Sequence, residues 1–323
     1  MAKAVRYHKQ GGPEVLQLDD VDVPQPGAGQ ARIKHTAIGV NFVDTYQRSG
    51  LYPMQLPAVA GNEAAGVVEA VGPGVTDLKA GDRVCYTGLP GSYCEARVVP
   101  ADRLVKIPDG ITDDQVASML LKGLTVHYLI FTTYPVKKGE TVLWHAAAGG
   151  VGLIACQWLK ALGVKTIATA GSDDKCKLAK AHGADYAINY STENWVEKVK
   201  EITGGKKVPV VYDGVGKATW EGSLDSLAPR GLIASFGNAS GAVPPVNLGI
   251  LSAKGSLYVT RPTLATHIAS REDLLWRSKE LFEIVKSGKV KIETTKKYKL
   301  ADAAQAHRDL EGRKTTGSVV LIP

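Results

Sequence analysis

Paired cysteines, long apolar runs and blocks of like charge are scarce or missing in this sequence of 323 residues. Its four cysteines form no Cys-x-x-Cys pair and lie near no histidine pair at ligand spacing, which predicts a reduced, cytosolic chain. No apolar run reaches the roughly 18 residues that span a bilayer, and the first residues lack the apolar core of a signal peptide. We therefore expect neither membrane insertion nor export. The cysteines are Cys85, Cys94, Cys156 and Cys176.

The positive charge of the chain is spread along its length. The formal net charge is +7, from 39 Lys and Arg against 32 Asp and Glu. Proteins that bind nucleic acid usually concentrate their basic residues in a patch or a run, so this pattern does not favour nucleic acid as a main partner. A site for a small anion such as phosphate accounts for the same excess of positive charge.

The spacing pattern of hydrophobic residues changes near residue 123. Before it, β-branched residues and frequent glycine and proline turns predict closely spaced strands, typical of a small β-barrel or a β-sandwich, and the pattern does not separate the two. After it, short apolar strands alternate with longer amphipathic segments, including TWEGSLDSLAPRG, which predicts an α/β fold with a doubly wound parallel sheet. The strands predicted for this sheet are residues 141–146, 165–170, 186–190, 208–213, 232–237 and 256–260.

The C-terminal part differs from the alternating region before it. After Pro262 come a helical segment and a terminal strand, GSVVLIP, which fit neither another strand and helix unit nor disorder. We expect this part to return to the first domain. The predicted domains are therefore residues 1–122 with 263–323, and residues 123–262.

The stretch HAAAGGVG follows a predicted strand and opens a predicted helix. In a dinucleotide site this turn carries G-x-G-x-x-G, whose glycines permit a tight turn, close approach of the pyrophosphate and packing of helix on strand. Here Ala147 replaces the first glycine, while Gly149 and Gly152 keep their positions. Amides around Gly150 and Val151 would point at the phosphates, at the positive end of the helix dipole. A tight turn that binds nothing is the alternative.

The end of the second predicted strand indicates which nicotinamide nucleotide binds. NAD-specific sites usually place an acidic residue there, about 20 residues after the glycines, to hold the ribose 2'-hydroxyl. Gly171 and Ser172 are small and neutral, which leaves room for a 2'-phosphate, and Lys175 follows within reach to neutralise it. The pattern favours NADP(H), with Asp173 and Asp174 expected to face solvent. An ordinary surface role for the lysine is the alternative.

Several stretches together resemble one family, the zeta-crystallin-like quinone oxidoreductases of the medium-chain dehydrogenase/reductase superfamily. The resemblance implies a GroES-like β-barrel catalytic domain, built from the N-terminal part and the C-terminal return, and a Rossmann domain between them. It also implies NADPH-dependent reduction of a quinone and a homodimer that pairs through the last Rossmann strand, here SLYVT. The stretches are GPEVL, NFVDTYQRSGLYP, GNEAAGVVEAVGPGV, LKGLTVHYL, HAAAGGVG, VVYDGVG and SFGNASG.

The resemblance also implies the cofactor contacts. Asn41 would lie near the nicotinamide and ribose, Thr125 at the carboxamide, and Gly150 and Val151 at the pyrophosphate. Arg313 would reach the cofactor from the C-terminal return. The remaining positions would surround the 2'-phosphate or flank the cofactor after the fifth strand: Gly171, Ser172, Lys175, Tyr190, Phe236, Gly237 and Asn238. For the two aromatic residues among them, closure of a strand end is the alternative.

Zinc alcohol dehydrogenases share this architecture, so metal use depends on whether the zinc ligands are present. Their catalytic zinc takes a cysteine from the stretch that matches NFVDTY and a histidine from a Gly-His-Glu that matches GNE. Here the first position is Asn41 or a neighbour, none of them cysteine, the second is Asn62, and the segment after GDRV contains only Cys85 and Cys94. Because zinc prefers thiolate and imidazole ligands, we expect neither a catalytic nor a structural zinc site.

A quinone is the expected substrate because its conjugated ring accepts electrons without a metal that polarises a carbonyl. The product would be hydroquinone or semiquinone, with hydride or single-electron transfer left open. The predicted substrate pocket contains Asn41, Tyr46 and Tyr52, and no residue is singled out as the catalyst. Either tyrosine could donate a hydrogen bond to a carbonyl oxygen or simply stack on the ring.

Two other functions fit the same residues. An NADPH-dependent enone reductase would deliver hydride to the carbon of an α,β-unsaturated carbonyl, again without a metal. A crystallin-like or RNA-binding protein would bind NADPH for stability without oxidising it.

Overall fold

The computed structural model describes all 323 residues, which divide into two units. At their edges the units differ from the ranges predicted from the sequence, because residues 123–124 belong to unit 1 and residues 263–267 and 287–291 belong to unit 2. Within unit 2, the ring of His267 stacks on that of Tyr128, with centroids 4.4 Å apart. Unit 1 comprises Met1–Leu124, Ile268–Lys286 and Ile292–Pro323, and unit 2 comprises Thr125–His267 and Ser287–Lys291.

The N-terminal part of unit 1 consists mainly of strands, as its β-branched composition predicts. Its elements are β1 (Ala2–Tyr7), β2 (Gln17–Val21), β3 (Gln30–Val40), α1 (Phe42–Ser49), β4 (Ala58–Val59), β5 (Glu63–Val71), β6 (Arg83–Thr87), β7 (Ala96–Pro100), β8 (Val105–Lys106) and α2 (Asp113–Tyr128). Helix α2 crosses into unit 2 and continues as a π-helical segment, Leu129–Thr133.

Unit 2 alternates strands and helices around one parallel sheet. Its strands follow the order β11-β10-β9-β12-β13-β14, which is the 3-2-1-4-5-6 order of a Rossmann fold. The predicted α/β fold with a doubly wound parallel sheet is confirmed. The elements are β9 (Thr141–Trp144), α3 (Gly150–Ala161), β10 (Lys165–Ala170), α4 (Asp173–Ala181), β11 (Tyr186–Asn189), α5 (Trp195–Ile202), β12 (Val208–Asp213), α6 (Trp220–Ser226), β13 (Leu227–Ser235), α7 (Gly249–Ala253), β14 (Tyr258–Thr260) and α8 (Leu264–His267).

The C-terminal strand lies in the main sheet of unit 1. This part contains α9 (Arg271–Lys286), β15 (Thr294–Lys299), α10 (Ala303–Glu311) and β16 (Ser318–Ile322). Strand β16 pairs antiparallel with the end of β3, and β7 pairs with the beginning of β3, while β5 pairs along its length. The sheet order is β15-β16-β3-β5-β6-β8, and a second sheet has the order β2-β1-β4. Their apolar faces enclose one core that includes Ile33, Ile38, Val84 and Leu321.

One predicted helix was wrong at its C-terminal end. The segment TWEGSLDSLAPRG continues the helical pattern through Gly231, but α6 ends at Ser226 and β13 begins with the next residue. Pro229 has no amide hydrogen for a helical bond, and Arg230 adopts the left-handed region with φ 62°. These two residues end the helix in spite of its apolar periodicity.

Helix α2 with its π-helical continuation, Asp113–Thr133, is long and apolar enough to cross a membrane by length and composition alone. Of its most apolar window, 78% is buried inside the protein, as in the core helix of a soluble protein. The feature is therefore weak evidence for a membrane span, and the absence of membrane insertion stays a prediction.

Candidate active site

The glycine stretch forms the turn between β9 and α3. Gly149 precedes the first residue of α3, and a β-carbon on Gly152 would lie 2.5 Å from the backbone of Ala147. Only glycine permits this close packing of the helix on the turn. The left-handed residue of the turn is Ala146, with φ 52°, one position before the motif begins. The first amides of α3 have no carbonyl partner within the helix, so this end can accept an anion.

The predicted 2'-phosphate residues come together at the ends of β10 and β11. The Ser172 hydroxyl accepts a hydrogen bond from the amide of Lys175 at 3.4 Å and thereby caps α4. The Tyr190 amide donates to the carbonyl of Ala170 at 3.1 Å, so the Tyr190 backbone lies beside the end of β10. A β-carbon on Gly171 would lie 2.6 Å from the Tyr190 hydroxyl oxygen. Glycine at this position therefore leaves the space that the tyrosine ring occupies.

The two aspartates at the start of α4 are both exposed, and each has a partner on the protein. The Asp174 side chain is 93% exposed and pairs with Lys177 at 3.2 Å. The Asp173 carboxylate accepts a hydrogen bond from Asn189 Nδ2 at 2.8 Å. This bond holds the Asp173 carboxylate against β11, next to the strand end that carries Tyr190.

The turn after β13 packs on the turn after β12. The Phe236 amide donates to the Asp213 carbonyl at 2.8 Å, and a β-carbon on Gly237 would lie 2.4 Å from the Gly214 carbonyl oxygen. The carbonyl of Asn238 accepts from the amide of Gly241 at 2.9 Å. The three positions predicted after the fifth strand thus lie at the same edge of the parallel sheet as the glycine turn.

A buried hydrogen-bond chain joins three strand ends beneath this edge. The Ser223 hydroxyl donates to the Asp213 carboxylate at 2.8 Å, so it accepts from His145 Nε2 at 3.1 Å. The Nδ1 atom of His145 then carries no hydrogen and accepts from the Thr169 hydroxyl at 2.8 Å. Burial lowers the pKa of His145, while the charge of Asp213 opposes this shift. The imidazole is therefore a neutral link in a chain whose direction is fixed.

In unit 1, the predicted pocket residues lie in or beside α1. The Tyr46 and Tyr52 rings meet edge to face, with centroids 5.3 Å apart, and the Tyr52 amide donates to the Tyr46 carbonyl. Tyr52 is 36% exposed, whereas Asn41, the residue before α1, is 4% exposed. The Asn41 side-chain Nδ2 donates to Glu63 Oε2 at 2.8 Å, and its backbone amide donates to Asp44 Oδ2 at 2.8 Å.

Asp44 is the centre of a second buried network. Its carboxylate accepts from Asn62 Nδ2 at 2.8 Å and from the Tyr93 hydroxyl at 2.9 Å. Tyr93 therefore accepts from His307 Nε2 at 3.0 Å, and His307 Nδ1 accepts from Arg48 at 3.0 Å. Burial raises the pKa of Asp44 to about 6, although its hydrogen bonds oppose the shift.

Both zinc-ligand positions are occupied by amides that bond to carboxylates. Asn41 donates to Glu63, and Asn62 donates to Asp44. Cys85 and Cys94 are buried, and burial raises the pKa of Cys94 to about 12, which disfavours the thiolate that zinc needs. No group of three or more His, Cys, Asp or Glu side chains is placed to hold a metal ion. These residues do not fit a zinc site of the kind that zinc alcohol dehydrogenases carry.

Two further predicted cofactor contacts are Thr125 and Arg313. Thr125 is 7% exposed on α2. Arg313 follows α10 in an exposed loop, with φ 56°, and its amide donates to the Leu310 carbonyl at 3.1 Å. Their roles at a cofactor stay predictions.

Sequence reasoning missed the buried ionisable residues that hold these predicted residues in place. Glu63 and Asp213 lie inside GNEAAGVV and VVYDGVG, and Lys122 lies inside LKGLTVHYL, but none of the three was predicted to belong to the site. The available signal was an ionisable residue inside an otherwise apolar or small-residue stretch. Such a residue must be paired or hydrogen-bonded when it is buried.

Comparison with known proteins agrees with this two-unit architecture. Residues 27–109 match the family described as alcohol dehydrogenase GroES-like domain, and residues 150–273 match the family described as zinc-binding dehydrogenase. A quinone oxidoreductase of Pseudomonas aeruginosa is 55% identical over 325 residues, covering 100% of both chains. A 2-haloacrylate reductase of a Burkholderia species is 46% identical, covering 100% of this chain and 99% of the relative.

A solved structure of a quinone oxidoreductase also matches this chain over its full length. The crystal structure of Escherichia coli quinone oxidoreductase complexed with NADPH matches with a TM-score of 0.98 at 53% identity, covering 100% of both chains.

A GroES-like unit together with a Rossmann unit defines a two-domain dehydrogenase/reductase. Within that class, similarity over the full length at more than half identity assigns the chain to one family. It belongs to the quinone oxidoreductase family of the medium-chain dehydrogenase/reductase superfamily.

Proposed function

We propose that this chain is a zinc-independent NADPH:quinone oxidoreductase that reduces quinones to hydroquinone or semiquinone. The observation that carries the proposal is the small, neutral end of β10. There Gly171 and Ser172 lie beside Tyr190, next to a glycine-opened helix at the same edge of the parallel sheet. A Rossmann site of this kind suits a dinucleotide with a 2'-phosphate.

The dinucleotide contacts of unit 2 follow from its strand ends. Amides at the start of α3, at Gly150 and Val151 between Gly149 and Gly152, would bind the pyrophosphate. Lys175 would neutralise the 2'-phosphate beside Gly171, Ser172 and Tyr190. Thr125, Phe236, Gly237 and Asn238 would contact the rest of the cofactor in this proposal. Unit 1 would contribute Asn41 and Arg313.

The bound NADPH supplies the reducing electrons, and the protein binds and orients the acceptor. Tyr46 and Tyr52 offer aromatic faces on which a quinone ring could stack, and their hydroxyls can donate to a carbonyl oxygen. Asn41 is held in one orientation by two hydrogen bonds and can serve as a fixed polar contact. Catalysis of this kind relies on positioning, and no side chain needs to form a covalent bond.

A second candidate is reduction of an α,β-unsaturated carbonyl. A relative named 2-haloacrylate reductase is 46% identical across the whole chain, and its name describes an unsaturated acid. The same NADPH site and the same metal-free pocket would serve this reaction. The two candidates differ in the acceptor that unit 1 would bind.

Three broader features belong to the proposal. Unit 1 would be the catalytic domain and unit 2 the NADP(H)-binding domain, close to residues 1–122 with 263–323 and residues 123–262. A homodimer would pair through β14, because the side chains of Tyr258 and Val259 on this edge strand are 60% and 41% exposed. The enzyme would be cytoplasmic, as its unpaired cysteines suggest.

The test follows the absorbance of NADPH in the presence of benzoquinone, an alkenone or 2-chloroacrylate, with NADH as the comparison cofactor. Rapid oxidation with benzoquinone supports the quinone oxidoreductase. Faster turnover of either unsaturated acceptor favours the second candidate. Binding of NADPH without oxidation by any acceptor would contradict both and favour a non-catalytic protein.

A further inference from the structure

Glu63 is a fully buried carboxylate at the start of β5, and the backbone around it leaves space for the charge. Its exposed fraction is 0%. A β-carbon on Gly39 of β3 would lie 2.2 Å from Glu63 Oε2 and 2.3 Å from the carbonyl oxygen of Ala117. Because neither a carboxylate nor a backbone carbonyl can give way easily in the core, glycine at this position is required for the carboxylate to sit there.

Each oxygen of Glu63 has a defined partner. The Leu121 amide donates to Oε1 at 2.8 Å, and Asn41 Nδ2 donates to Oε2 at 2.8 Å. The Nζ atom of Lys122 lies 3.7 Å from Oε2, and its side chain is 8% exposed. At that distance, and with no hydrogen-bond partner of its own, this ammonium acts as a counter-charge. Burial raises the pKa of Glu63, and the charge of Lys122 opposes that shift.

This arrangement decides which end of the Asn41 amide faces Glu63. An ionised carboxylate only accepts hydrogen bonds, so the amide nitrogen must face it. The amide oxygen therefore points to the other side, towards the backbone amide of Asp44 in the capping box of α1, in which the Asn41 backbone amide also donates to the Asp44 carboxylate. An amide oxygen has two lone pairs, so Asn41 can still present an acceptor to a ligand, which suits a hydroxyl or an amide N–H of the nicotinamide nucleoside.

We propose that Glu63, with Lys122 as its counter-charge, is a positioning residue that fixes the orientation of the Asn41 amide for cofactor binding. This inference rests on the proposed function, in which Asn41 contacts NADPH. Glu63 itself touches no cofactor in this account. Its effect on binding passes through the Asn41 side chain alone.

The substitution Glu63→Gln tests this orientation. The Leu121 amide can only donate, so the new side chain must turn its oxygen towards Leu121 and its nitrogen towards Asn41. The Asn41 amide must then reverse and present its nitrogen to the ligand. We expect the NADPH dissociation constant, measured by fluorescence titration of the full chain without quinone, to rise about tenfold, the size of one lost hydrogen bond.

A double-variant cycle separates positioning from a general structural effect. In an Asn41→Ala background, Glu63→Gln should change the NADPH dissociation constant by less than about twofold. Glu69→Gln, on the same strand but half-exposed and paired with Arg32, is the matched control and should leave binding unchanged. Thermal unfolding of each variant shows whether it is folded.

A second variant, Lys122→Met, tests the same inference if Glu63→Gln does not fold. Lys122→Met removes the charge that opposes the raised pKa of Glu63 and so favours the protonated carboxyl. Because the Leu121 amide donates to Oε1, the proton would lie on Oε2 and turn the Asn41 amide in the same way. The proposal holds if either folded variant weakens NADPH binding in the native background and has no effect beside Asn41→Ala. Unchanged affinity, or equal weakening in both backgrounds, would overturn it. A native protein that binds NADPH but reduces no acceptor would contradict the proposed function. The double-variant cycle would still test this inference, because it measures NADPH binding alone.

Discussion

The hydroxyl oxygen of Tyr190 lies 2.6 Å from the position that a β-carbon on Gly171 would occupy. The next nearest atom of the ring, Cζ, lies 3.1 Å from the same point. The glycine and the tyrosine therefore share one space at the proposed 2'-phosphate site. A methyl group at residue 171 must push the tyrosine away from the end of β10.

Gly171→Ala should weaken NADPH binding several-fold, because the displaced Tyr190 ring can no longer line the site. In a Tyr190→Phe background the same substitution should cost less, since the closest oxygen is gone. Dissociation constants from fluorescence titration of the four proteins provide the comparison. Equal losses in both backgrounds would show that the contact between these residues does not matter for binding.

Lys175→Ala should cost about 1.5 to 3 kcal/mol of NADPH affinity, the usual size of a hydrogen bond to a charged group, and should leave NADH affinity unchanged. Lys177→Ala is the matched control, because Lys177 lies in the same helix but pairs with the exposed Asp174. Isothermal titration of both variants with both cofactors measures this. Loss of affinity for both cofactors alike would remove Lys175 from 2'-phosphate recognition.

Thr169→Val should destabilise the protein by about 1 to 3 kcal/mol, because it leaves the buried Nδ1 atom of His145 without its hydrogen bond. Thr166→Val on the same strand is the control. The Thr166 hydroxyl is buried and has no partner, so its replacement by a methyl group should be neutral or stabilising. Urea unfolding of the two variants measures the difference, and similar losses for both would contradict the hydrogen-bond chain.

Much of this fold was predictable from the sequence, and the reasons are local. The residues of β10 and β12 form short β-branched runs that are each followed by a glycine, and their predicted ranges agree with the structure. The glycine turn was also recognisable. A side chain at residue 152 would collide with the backbone, so the sequence keeps glycine there and the motif is visible. In contrast, the left-handed residue of that turn is Ala146, where no composition rule indicates it.

The supporting networks could not be predicted, because their partners are far apart in the chain. Asn41 and Glu63 are 22 residues apart, and His307 and Tyr93 are 214 residues apart. Only the folded sheet and the return of the C-terminal part bring such groups together. The end of α6 was missed for a different reason, since apolar periodicity continued past Ser226 while Pro229 and the backbone of Arg230 ended the helix.

The stability contribution of His35 should depend on pH. Its Nδ1 donates to the Cys94 carbonyl at 2.7 Å, so its Nε2 accepts from the Tyr86 hydroxyl at 3.1 Å. Burial lowers the pKa of His35 from 6.5 to about 4, so the folded state binds a proton more weakly than the unfolded chain. The contribution is complete above pH 6.5 and is lost as the pH falls towards 4.

His35→Gln removes this titration. The difference in unfolding free energy between the native protein and the variant should therefore shrink as the pH falls through that window. Urea unfolding at several pH values measures it. A difference that does not change with pH would mean that His35 is not held neutral in the folded state.

Reduction of a quinone by NADPH without zinc is the central claim, and it can be measured directly. The protein is dialysed against a chelator, its metal content is determined, and kcat/KM with benzoquinone is compared for NADPH and NADH. We predict full activity in the metal-depleted protein and a clear preference for NADPH. Activity that disappears with the metal and returns only with added zinc, or a preference for NADH, would contradict the account.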